Sequence, residues 1–131
     1  CTTLVRSAAN VPAMINFGGD LAVTSAPVTR DTWKVGIEGP TVDSAEKRVD
    51  LRQGALATSG DARRFLIRNG VRYSHILDPR SGWPVPDAPA SITVAADTCT
   101  QAGMMSTLAM LRGAEAEDFL AAQELLHWCR R

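Results

Sequence analysis

Short apolar segments, most of them closed by a glycine or a proline, run from residue 11 to residue 96, and a helix-length pattern begins only after Thr98. That order narrows the fold more than any other feature, because short strands need neighbours to pair with and late helices need a sheet to cover. VPAMINF (11–17) and LAVT (21–24) flank Gly18-Gly19-Asp20, the pattern of an antiparallel hairpin. WKVGIEGP (33–40) sets Trp33, Val35 and Ile37 on one face and Lys34 on the other, a half-buried strand ended by Gly39 and Pro40. The polar stretch TVDSAEKRVDLR (41–52) reads as a solvated loop or ribbon, and GALATSGD (54–61) as a short strand running into a turn. VRYSHI (71–76) and the β-branched ASITVAA (90–96) read as strands. Asp97 or Thr98 can cap a helix over CTQAGMMSTLAMLRG, with Met104, Leu108 and Leu111 as its apolar side and Gly113 as its stop. A second helix fits AEAEDFLAAQELL, with Phe119, Leu120 and Leu126 buried. The expected fold is α+β, an antiparallel sheet with helices packed on one face, in a single domain over residues 1–131.

Charge and cysteine usage exclude several function classes. Fourteen basic side chains balance 14 acidic ones, so no cationic excess is available for nucleic acid. Apolar runs stay well below the roughly 20 residues of a membrane span. Cys1, Cys99 and Cys129 form no CxxC pair, which argues against both a disulfide framework and a thiolate zinc site. A cysteine at position 1 is what a mature bacterial lipoprotein carries, and equally what a chain boundary leaves.

SHILDPRSGWP (74–84) is the most strongly shaped stretch. Pro79 and Pro84 bracket Gly82, so the backbone leaves the strand and turns sharply just after His75. Asp78 suits ordering that turn, and Arg80 either meets a phosphate or braces Asp78. A histidine in an alternating strand is ordinarily a packing residue, and so is Trp33; Trp83 has the shape to stack on an aromatic ligand. His127 fits no motif and reads as a surface or packing residue.

Taken together, NFGGDLAV (16–23), WKVGIEGP (33–40), LATSGDARRF (56–65), YSHILDPRSGWPV (73–85) and ITVAADTCTQAGMMSTLAML (92–111) resemble, in order, the ApbE family of FAD-dependent protein FMN transferases. The resemblance implies a T-fold-like partial domain that covers the C-terminal half of such a protein. An N-terminal region, or a second chain completing the fold, is then expected to supply part of the flavin and metal sites, and the last strands are expected to be cut short at HWCRR. It implies FAD as substrate, a flavin-acceptor protein as partner, and a periplasmic or membrane-anchored lipoprotein location. The chemistry implied is transfer of FMN from FAD to a threonine or serine hydroxyl, with release of AMP. By the same resemblance His75 is the base, while Gly18, Gly19, Asp20, Ser59, Gly60 and Arg80 contact the flavin nucleotide. Imidazole suits the role of base, since it takes up a proton near neutral pH.

The family also implies Mg²⁺, held by an aspartate at the start of the long helix and a threonine four residues later. Thr107 matches the threonine, but Gly103 occupies the aspartate's place. Losing the charged ligand removes most of what offsets dehydrating so strongly hydrated an ion, so impaired activity is expected of this chain alone. Asp97 lies too far back along the chain to replace the missing oxygen.

Overall fold

The structure is a computed structural model that describes residues 2–38, 45–60 and 64–131. Helix α1 (Thr2–Ala9) precedes a hairpin of β1 (Met14–Phe17) and β2 (Asp20–Val23). A second hairpin pairs β3 (Trp33–Glu38) with β4 (Ala45–Leu51), and β5 (Gly54–Gly60) follows. The hairpin of β6 (Phe65–Arg68) and β7 (Val71–Ser74) comes next, then β8 (Ser91–Ala96) and helix α2 (Cys99–Met110). A 3₁₀ turn at Gly113–Glu115, helix α3 (Ala116–Ala122) and β9 (His127–Arg130) end the chain. The main sheet runs β1-β2-β5-β8-β9 with antiparallel neighbours throughout, and β3-β4 and β6-β7 form separate ribbons.

The two faces of the main sheet are covered differently. On one, Ile92 and Val94 of β8 pack with Met105, Ala109 and Met110 of α2 and with Ala116 and Leu120 of α3. On the other, Val23 and Leu56 meet Val35 and Leu51 from the β3-β4 ribbon. Ile92 and Leu120 are fully buried, each worth roughly 1.5–3 kcal/mol of transfer free energy. The architecture is thus α+β, with α2 and α3 gathered on one face as the order of patterns predicts; α1, which that order does not anticipate, buries no residue and stands outside this core.

Several elements differ from the sequence reading. Residues 45–51 are strand β4 of a ribbon, the second of the two forms expected for this stretch, but only partly solvated: Val49 and Leu51 turn inward, while Lys47, Arg48 and Asp50 stay in water. Charged residues on the outward face hid an inward pair that is enough for a half-buried ribbon. Residues 39–44 of the stretches read at 33–40 and 41–52 lie outside the described residues, as does Asp61 of the turn at 54–61. The β6-β7 hairpin was not anticipated, although Asn69-Gly70, both at positive φ, joins FLIR to VRYS.

Helix α2 begins after the Thr98 cap, whose side chain accepts from the Gln101 N–H at 3.1 Å. Its buried side is Ala102, Met105, Ser106, Ala109 and Met110, whereas Met104 is 55% and Leu108 41% exposed. The helix is apolar nearly all round, so the bulkiest stripe misled; small residues let it lie flush on β5 and β8. In α3, Leu120 is buried and Phe119 half-buried under the Arg112 guanidinium, 5.1 Å from the ring centre, but Leu126 lies beyond the helix at 71% exposure. HWCR forms β9, which pairs antiparallel with Ser91–Val94 of β8.

Candidate active site

The floor of the site follows from strand alternation. On β5, Leu56, Thr58 and Gly60 share the face away from the helices, while Ala57 and Ser59 point toward α2. Thr58 stands directly opposite Thr93 of β8, and their hydroxyls bond at 2.8 Å. Arg130 of β9 stands opposite Ser91, with its Nε 3.4 Å from the serine oxygen. Gly60 is required by packing, since a Cβ there would lie 2.6 Å from the Ala90 carbonyl oxygen. Gly18 and Gly19, at φ +65° and +106°, make the tight turn between β1 and β2, and the Gly19 N–H donates to Asn16 Oδ1 at 2.9 Å.

A hydroxyl chain ties β5 to α2. Ser106 donates to the Gly103 carbonyl at 3.0 Å, so its single proton is spent and its oxygen accepts from Ser59 at 2.8 Å. The Ser59 proton is then spent as well, and Ser59 accepts from Thr107 at 2.9 Å. Thr107 Oγ1 is left with lone pairs only. It can receive a proton or a cation, but it has no hydrogen to offer a phosphate.

His75 lies just past the end of β7. Its Nδ1 is 2.9 Å from the Arg64 carbonyl oxygen, which can only accept, so Nδ1 carries a hydrogen and the neutral ring keeps its lone pair on Nε2. The following turn is clamped. The Asp78 N–H donates to the Trp83 carbonyl at 2.9 Å, and the Ser81 and Gly82 N–H groups donate to the Asp78 carbonyl. Arg80 forks onto the Asp78 carboxylate, with Nε–Oδ1 and Nη2–Oδ2 both 3.1 Å. Those Arg80 bonds hold the Asp78 carboxyl below the usual carboxylate range.

These elements enclose one cleft of about 860 Å³, within the range of small-molecule sites. Of the residues expected to act, Gly18, Gly19, Asp20, Ser59, Gly60, His75 and Thr107 all line it. Arg80 does not; its guanidinium braces Asp78, the second of the two uses open to it. The sequence reading missed Asn16, Thr58, Thr93, Arg64 and Arg130, which also line the cleft. Thr58 faces the opposite way from Ser59, so its place in the cleft depends on pairing with Thr93 of β8, and Arg130 required recognising β9. Trp33 is a packing residue whose Nε1 donates to the Ser25 carbonyl at 2.8 Å, and Trp83 is 66% exposed. His127 is half-buried, with Nδ1 2.8 Å from the Leu125 carbonyl oxygen.

A resident Mg²⁺ does not fit the residues present. Gly103 supplies no side-chain oxygen, and the described residues contain no group of three His, Cys, Asp or Glu side chains able to hold a metal ion. Thr107 remains as one neutral donor, too little for a hard cation that wants oxygen ligands and anionic charge. A side chain's first carbon is tolerated at that position: a Cβ at Gly103 would lie 3.8 Å from the Ala57 Cβ, an ordinary contact. No described helix is long and apolar enough to cross a membrane.

The chain is an α+β sheet with α2 and α3 on one face and a glycine-edged, hydroxyl-lined cleft whose lining joins Thr58 and Thr93 of the opposite face to Ser59 and Thr107 of the helix side. The chain belongs to the ApbE family, whose sequence profile matches residues 1–127. It is 36% identical over 104 residues to the FAD:protein FMN transferase of Vibrio cholerae, covering 78% of this chain and 31% of that protein. Against the FAD:protein FMN transferase of Haemophilus influenzae the identity is 34% over 97 residues, covering 72% and 28%. The chain thus spans about a third of the length of these relatives. The crystal structure of the ApbE protein of Thermotoga maritima superposes with a TM-score of 0.86 at 27% identity, covering 98% of this chain and 43% of that one. The flavin transferase ApbE of Vibrio cholerae superposes with a TM-score of 0.73 at 31% identity, covering 88% and 37%.

Proposed function

We propose that the cleft binds a flavin nucleotide, with FAD as the substrate, and that His75 is the base of an FMN transfer whose cation site has been lost. The reading is carried by one observation: the Gly18-Gly19-Asp20 turn, Ser59-Gly60 and His75 converge on a single cleft from separate elements. In the proposed reaction His75 Nε2 takes the proton of an acceptor threonine or serine hydroxyl. The freed oxygen bonds to the FMN-side phosphorus, the bond from that phosphorus to the bridging oxygen breaks, and AMP leaves with the electron pair. The lone pair on Nε2, fixed by the Nδ1 bond to Arg64, favours this role. Gly103 favours slow transfer by this chain alone, because no carboxylate stands beside Thr107 to recruit a cation to the diphosphate. A flavin-acceptor protein is the proposed partner, and a further region or second chain the proposed source of the rest of the flavin site.

Incubation with FAD, Mg²⁺ and a threonine-bearing acceptor peptide, followed by mass for covalent flavin, tests the proposal. Little transfer is expected from the unsubstituted chain and clear transfer from Gly103→Asp. Rapid transfer without that substitution would contradict the loss of the cation site. A second reading, a catalytically silent flavin-binding module, is favoured by the hydroxyl chain that consumes the Ser59 and Ser106 protons. It predicts that FAD binds while Gly103→Asp transfers nothing.

A further inference from the structure

We propose that Arg64 and Arg130 form the anion-binding site of the cleft and hold a diphosphate without a divalent cation. The inference rests on reading the cleft as a nucleotide site, and it names the groups that would meet the nucleotide's charge. Among the described residues lining the cleft, the only carboxylate is Asp20, whereas Arg64 and Arg130 both contribute guanidinium groups. They come from different parts of the chain, Arg64 just before β6 and Arg130 from β9.

Neither guanidinium is neutralised by a carboxylate among the described residues. Arg130 makes one long bond, 3.4 Å from Nε to the neutral Ser91 hydroxyl, which leaves both terminal nitrogens available. Arg64 uses its backbone carbonyl to hold His75, and its side chain has no ion pair among the described residues. Arg80 and Arg131, by contrast, are spent on Asp78 and Glu117. A half-buried guanidinium such as that of Arg130 is weakly hydrated and presents a planar fork suited to phosphate oxygens.

The rest of the cleft makes such cations necessary. Thr107 Oγ1 has no proton for a phosphate oxygen, and Gly103 cannot recruit a metal ion to neutralise one. A diphosphate placed there with neither cation nor guanidinium would be a desolvated anion without a partner.

Calorimetric titration of the whole chain with inorganic pyrophosphate, FAD and riboflavin, each in EDTA and again with Mg²⁺, tests the pair. Arg64→Gln, Arg130→Gln, the charge-keeping Arg130→Lys, and Arg68→Gln as a control outside the cleft are compared, with circular dichroism checking the fold. Pyrophosphate and FAD are expected to bind in EDTA. Each glutamine substitution should weaken both by about tenfold or more, consistent with losing a hydrogen bond to a charged group. Arg130→Lys should fall between, Arg68→Gln should change nothing, and riboflavin should be indifferent to every substitution. Binding only in Mg²⁺, no pyrophosphate binding, or binding untouched by both glutamine substitutions would overturn the proposal. The flavin reading fails separately: arginine-dependent pyrophosphate binding with no affinity for FAD or riboflavin would leave the arginine pair standing and remove the flavin.

Discussion

Thr107 reaches the cleft from a helix packed on β5 and β8 through Ala102, Met105 and Ala109, whereas His75 reaches it from the end of an exposed hairpin. The floor is held by burial and by a hydroxyl chain in which each proton has one place to go. The His75 loop is held by one carbonyl contact and by the Asp78-Arg80 clamp, beside a hairpin whose Leu66 and Ile67 stand in water. The contrast separates stability from chemistry. Substitutions in the floor should cost folding free energy, while substitutions in the loop should cost function and leave folding nearly intact.

The largest effect that would break this contrast concerns His75. In a Gly103→Asp background, His75→Ala should lower FMN transfer by about 10²–10⁴-fold, the usual worth of a general base, with the unfolding midpoint unmoved. Equal loss of stability would show that His75 belongs to the packing instead. Next comes Leu120→Ala, fully buried between α3 and the sheet, which should destabilise by about 2–5 kcal/mol in denaturant unfolding. Ser106→Ala removes one link of the hydroxyl chain and should cost about 1 kcal/mol, again read from denaturant unfolding.

The smallest effect lies in the loop. Arg80 lowers the Asp78 pKa in the folded state, so the folded protein binds fewer protons there than the unfolded chain does. The contribution is present above the ordinary aspartate range and is lost as pH falls through the lowered folded value. Asp78→Asn should remove that acid-side dependence from an unfolding-versus-pH series and lower neutral-pH stability only slightly, because the Arg80 partner is 85% exposed and solvent screens the pair.

Much of this was legible in the residues. Gly18-Gly19 and Asn69-Gly70 both specify tight hairpins, and only the first was read: VRYS was read as a strand, but FLIR, an apolar run ending in a charge, has no alternation to mark it as its partner. The Thr98 cap was legible too, but the buried side of α2 was not: Met104 and Leu108 look like a core stripe, and only the closeness of β5 reveals that the smaller side packs. In the cleft, residues carried by turns and motifs were found, whereas Arg130 and Thr93 were not. Their placement depends on cross-strand register, which brings distant segments opposite one another and leaves no local mark.

The central claim is a cleft that keeps its base and has lost its cation site, and Mn²⁺ titration followed by electron paramagnetic resonance, without nucleotide, tests it most directly. The spectrum of the free ion should persist on adding the unsubstituted chain and be lost on adding Gly103→Asp. Mn²⁺ captured by the unsubstituted chain, and released on Thr107→Val, would contradict the claim.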